Sequence, residues 1–98
     1  MNLIQFNEMM SYNDKVSSNL FSQEMTLFNI INGNFKTEEI LDIDMNKPSF
    51  VVTVIDEQTA MNVKNRLDGE VVPGSFIPLY QINIQQNKNT LEFELIEV

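Results

Sequence analysis

The most constraining feature of the sequence is the alternation in its last twenty residues. Tyr80, Ile82 and Ile84 share one parity, and Gln81, Asn83 and Gln85 share the other. After a turn-like Gln86–Asn89, the residues Leu91, Phe93 and Leu95 alternate with Glu92 and Glu94. Successive strand side chains point to opposite faces, so this pattern predicts a hairpin with one dry face and one wet face. A chain committed to such a hairpin must cover the dry face with other elements.

The middle supplies two of them. Ser49 to Ile55 is β-branched and nearly continuous, which predicts a well-buried strand. Asp56 follows as a helix N-cap with Glu57 in the first turn. Ala60, Val63 and Leu67 fall on one helical face, and Lys64 and Arg66 sit in the last turn, where they complement the helix dipole. Asp68-Gly69 ends the helix, with Gly suited to the C′ position. Glu70 to Val72 is a short strand, Pro73-Gly74 a turn, and Pro78 marks an edge or bulge.

The first half reads less directly. Leu3, Ile4, Phe6, Met9 and Met10 have near-helical spacing, so residues 1–20 are expected to form an N-terminal arm or short helix. Two readings compete for Leu20 to Phe35. Asn32-Gly33 is a strong hairpin-turn signal, and Thr26, Phe28 and Ile30 alternate before it. Leu20, Phe21, Met25, Leu27, Phe28 and Ile31 also fit a helical face, with Ser18 as N-cap and Gly33 as C′ residue. The turn chemistry favours the hairpin. Ile40 to Asp44 continues as a strand or short edge segment, and Lys47-Pro48 breaks it.

The predicted fold class is therefore α+β and β-dominated, in one domain covering residues 1–98, with 1–20 as the arm and 21–98 as the body. Two forms fit. One is a small five-stranded OB-like barrel; the other is an open antiparallel sheet. Each carries one helix, at about residues 56–68, between strands 3 and 4.

Composition narrows the function. The chain has no His, Cys or Trp, which removes most side chains that do acid–base, thiol or transition-metal chemistry near neutral pH. No enzyme activity, cofactor or metal is expected. Fourteen acidic residues against six basic ones give a net charge of −8, which argues against duplex DNA and anionic membranes as partners. No apolar run reaches the ~18–20 residues of a membrane span, and Met1 to Met10 lacks a basic leader, so a cytoplasmic location is expected. The 13 Asn, with many Ile and Lys, resemble the usage of low-GC bacteria and their phages.

Asp42, Asp44 and Asn46 imitate the start of a calcium-binding loop, but Lys47 and Thr53 stand where that loop needs Gly and Glu, so a solvated strand face is the better reading. Glu92 and Glu94 share one wet strand face with nothing to separate their protonation behaviour. Lys64 and Arg66 are accounted for by their place at a helix end.

An OB-like layout would put Lys36 and Lys88 in or beside its binding loops, with Phe35 and Tyr80 free to stack on bases. The order of buried strand, acidic helix cap, short helix and strand over Ser49 to Gln85 loosely resembles the single-stranded-DNA-binding proteins of phages and conjugative elements. That resemblance implies single-stranded nucleic-acid binding, for which the OB-like layout offers Lys36, Tyr80 and Lys88.

The acidic set Glu38, Glu39, Asp42 and Asp44, with Leu3 and Phe6 on the arm, points instead to a protein partner. The six Met residues suit an adaptable interface. The terminal strand, with Leu95, Ile96 and Val98, is read as an edge able to pair with its own copy, so a homodimer is an expected assembly. The leading expectation is a small, acidic, non-enzymatic inhibitor or interaction protein of phage or mobile-element type that occupies a partner protein's surface, such as that of a nucleic-acid-handling protein. A single-stranded nucleic-acid binder and a structural or assembly subunit are the alternatives.

Overall fold

The computed structural model describes residues 1–16, 22–45, 49–74 and 77–98. Two helices, α1 (Leu3–Val16) and α2 (Ser22–Asn34), lead through a 3-10 turn (Thr37–Glu39) into strands β1 (Ile40–Asp44) and β2 (Phe50–Val54). Helix α3 (Glu57–Leu67) and strands β3 (Val71–Pro73), β4 (Leu79–Asn87) and β5 (Thr90–Glu97) complete the chain. The expected N-cap Ser18, with Leu20 and Phe21, and the break at Lys47-Pro48 lie outside the described residues.

The strands form one antiparallel sheet in the order β1-β2-β5-β4-β3. It is open: β1 and β3 are its two edges, so the fold is α+β with an open sheet and not an OB-like barrel. The inward parity is the one read from the sequence, with Tyr80, Ile82, Ile84, Leu91, Phe93 and Leu95 all buried. Helices cover that face only. Phe6 of α1 meets Phe50 of β2 edge-on at 6.1 Å, and Phe35, just past α2, meets Phe93 of β5 at 6.4 Å. Among the described residues no helix is long and apolar enough to cross a membrane.

Helix α3 follows its signals closely. Asp56 accepts the Thr59 N–H at 2.7 Å as N-cap, Ala60 and Val63 are buried, and Gly69 takes the left-handed φ of +83° just after the Asp68 C-cap. It stands between the second and third strands, not the third and fourth, because the hairpin expected at residues 20–35 is absent.

That segment is helix α2. Thr26, Leu27, Ile30 and Ile31 form its buried stripe, and Phe28 packs beside Phe6 at 5.5 Å. Burial of the stripe outweighs the turn preference of Asn32-Gly33. The asparagines adapt: Asn32 and Asn34 donate side-chain amides to the carbonyls of Phe28 and Ile30, four residues back, at 3.0 and 2.8 Å.

The terminal strand is also placed differently from expectation. β5 lies at the centre of the sheet, paired with β2 on one side and β4 on the other, so it offers no edge to a second copy. The true edges are blunted. β1 carries a register shift between Ile40 and Asp42, a bulge that lets Ile40 and Ile43 both point inward. The Ile43 N–H and C=O pair with the Met1 carbonyl and amino group. β3 spans three residues and ends at Pro73, which has no N–H to offer.

Candidate functional site

The face of the sheet opposite the helices is assembled from the outward parity of each strand. The register sets cross-strand rows: Asp44, Val51, Glu92 and Gln85 form one, and Asp42, Thr53, Thr90 and Asn87 the next. Glu94 lies opposite Asn83, and Ile96 lies opposite Gln81, which in turn lies opposite Val71. Four carboxylates therefore share one open face, and no strand of the sheet contains Lys or Arg.

Their neutralisation is uneven. Asp42 accepts from the Met1 ammonium in an ion pair. Glu92 and Glu94 are exposed and lie two residues apart on the central strand, and their side chains have no hydrogen bond or ion pair among the described residues. At ~4.8 Å per strand spacing, Asp44 and Glu92 lie two strands and about 10 Å apart. The described cations are elsewhere. Lys64 pairs with Asp68 at 3.3 Å, Arg66 donates to the Asn34 side-chain oxygen at 3.3 Å, and Lys88 occupies the β4–β5 turn.

Of the residues expected to bind a partner, the structure divides the set. Asp42 and Asp44 join Glu92 and Glu94 on the open face. Glu38 is exposed on the 3-10 turn, and Glu39 accepts the Lys36 backbone N–H at 2.7 Å, which ties it to the turn's start. Leu3 and Phe6 are core residues, 3% and 0% exposed. A partner cannot reach them, because α1 packs on the body of this same chain. By alternation alone Glu92 and Glu94 read as an ordinary wet face; only the central position of β5 places them on one face with Asp44, two strands away.

The nucleic-acid set is not brought together. The Tyr80 ring is 4% exposed and Phe35 6% exposed, so neither is available for stacking. Tyr80 pairs with Glu97 at one end of the hairpin, whereas Lys88 sits at its tip. Lys36 is exposed between α2 and the 3-10 turn.

Beside the sheet edge, Met1, Met9, Asp42, Ile43, Asp44 and Met45 line an open cleft of about 390 Å³ between α1 and β1. Among the described residues no group of three or more acidic side chains converges as a metal site would require. Two carboxyls lie below the usual aspartate range. Asp56 is lowered by the Thr59 backbone N–H and then the Thr59 side chain, and Asp68 by the Ile84 N–H, with Lys64 adding to it; partial desolvation opposes both shifts. Both support α3 and neither lies on the open face.

In comparisons with known proteins, no family model matches the chain, and no curated protein and no solved structure matches it.

Proposed function

We propose that this chain is a small non-enzymatic interaction protein that acts in the cytoplasm by occupying a basic surface of a partner protein, as inhibitors of phage or mobile-element type do. The observation that supports this most directly is the open sheet face, where Glu92 and Glu94, with no ion-pair partner among the described residues, share one surface with Asp42 and Asp44. Like charges fixed on a rigid sheet create a negative potential that a complementary basic surface would relieve. A surface that accepts nucleic acid in the partner is one such complement, so occupation by this face would compete with that ligand. Buried Tyr80 and Phe35 make the nucleic-acid-binding alternative the weaker one.

The test uses Glu92→Lys combined with Glu94→Lys, because neither side chain has a hydrogen-bond or ion-pair partner among the described residues. Affinity capture from host lysate, with nuclease treatment, compares this variant with the wild type. The expected result is a discrete basic protein that survives nuclease, is retained by the wild type and is lost by the variant. Equal capture by both proteins overturns the reading.

A further inference from the structure

We propose that the open face receives a basic amphipathic helix of the partner protein, laid along β5 with an apolar side chain at the Ile96 end and basic side chains over Glu94 and Glu92. This rests on the acidic-surface reading above and adds to it a shape and a spacing.

The open face is not uniformly polar. At the end away from the β4–β5 turn, Val71, Leu79 and Ile96 are 50, 47 and 43% exposed on adjacent strands, with Ile96 and Val71 flanking Gln81 in one row. Along β5, apolar Ile96 and the carboxylates Glu94 and Glu92 thus occupy opposite ends, while on β2 the half-buried Val51 lies between Asp44 and Glu92. Along β5 the order is Ile96, Glu94, Glu92, each two residues from the next and so ~6.7 Å apart on a single line. Residues four apart on a helix lie ~6 Å apart along its axis on one face. A helix with one apolar residue followed at four-residue intervals by two Lys or Arg therefore matches the line.

The structure also discriminates among occupants. A second copy docked by the same face would set Glu92, Glu94 and Asp44 against their own equivalents, which repel. Nucleic acid and anionic lipid carry the same sign as the face. Strand addition needs a free sheet edge, and here one edge holds Met1 and a bulge while the other ends at Pro73. A helix laid on the bare face of a sheet is the ordinary layered solution, already used by this fold on its other side.

The experiment titrates full-length protein into two fluorescein-labelled synthetic helical peptides of about 16 residues, long enough to hold a helix. One carries Leu, Arg and Arg at four-residue intervals; its isomer carries Arg, Leu and Arg. Fluorescence anisotropy at low salt is expected to give about tenfold tighter binding of the first peptide. Ile96→Ser should abolish that preference and leave a salt-sensitive binding common to both peptides. Glu92→Gln and Glu94→Gln should each weaken the first peptide about fivefold. Circular dichroism melts confirm that the variants, all at exposed positions, remain folded. Equal binding of the two peptides, or an unchanged preference in Ile96→Ser, overturns the spacing and leaves the acidic-surface reading intact. Failure of both peptides to bind the wild type at low salt overturns both.

Discussion

The Asp68 carboxylate accepts the backbone N–H of Ile84 at 2.8 Å, sixteen residues away. β4 is nine residues long and β3 only three, so much of β4's outer edge has no strand beside it. The helix stop supplies the missing partners. Gly69 donates to the Ile82 carbonyl at 2.7 Å, Ile82 donates to the Glu70 carbonyl at 2.8 Å, and the Asp68 side chain takes the next donor along. One short segment thus ends α3 and continues the sheet.

Asp68→Ala should leave the part-buried Ile84 N–H without an acceptor and cost about 1 kcal/mol. In a domain of this size that lowers the melting temperature by about 4–8 °C. Urea denaturation should show a lower midpoint with an unchanged slope; a midpoint equal to wild type would remove the carboxylate from any structural role.

The same residue, with Asp56, sets a pH dependence. Both carboxyls are held below the ordinary aspartate value by hydrogen bonds from backbone N–H groups, so the folded state binds fewer protons than the unfolded chain as pH falls through about 4. Their contribution to stability is full above that point and is lost as pH drops through the lowered folded values. Urea midpoints measured from pH 7 to pH 2 should therefore decline below about pH 4. The double variant Asp56→Asn, Asp68→Asn should decline less steeply; a curve parallel to wild type would refute the assignment.

Phe6→Ala should cost about 3–5 kcal/mol, because the ring is fully buried between Phe28 and Phe50. Ile4→Ala, on the exposed side of the same helix, should change stability by no more than about 0.5 kcal/mol. Thermal melts of the two variants distinguish a helix that belongs to the core from one that waits for a partner; comparable small losses would favour the latter.

Lys88 takes a φ of +56° in the two-residue turn between β4 and β5, a region that disfavours a side chain. Lys88→Gly relieves that strain and, after the entropic cost of glycine, should stabilise by about 0.5 kcal/mol. A rise in the urea midpoint tests this, and a fall would mean that the lysine side chain contributes more than its backbone costs.

Elements governed by a local rule were legible in the sequence. The parity of Tyr80 to Leu95 gave the buried face residue by residue, and Asp56 and Gly69 bounded α3 by capping chemistry alone. The misreadings came where a distant contact decided. Asn32-Gly33 carries a real turn preference, but Leu27, Ile30 and Ile31 gain more by burial against the sheet, and no window of neighbouring residues reports that. The bulge at β1 was hidden because Ile40, Leu41 and Ile43 fit no single parity. Strand order was hidden most completely. Glu92 and Glu94 were correctly read as outward-facing, yet their nearness to Asp44 depends on β5 entering between β2 and β4.

That insertion has a consequence for folding. Without β5, β2 can pair with β1 and β4 with β3, and α3 packs on both β2 and β4, but no backbone hydrogen-bond ladder joins the two ribbons. Within the described sheet, β5 supplies the ladder between them, pairing with β2 on one side and β4 on the other. Until β5 enters, the inward faces of the two ribbons have helices over them but no strand between them. Closure of the sheet thus waits on β5, whose two rows of hydrogen bonds form only when both ribbons are in place.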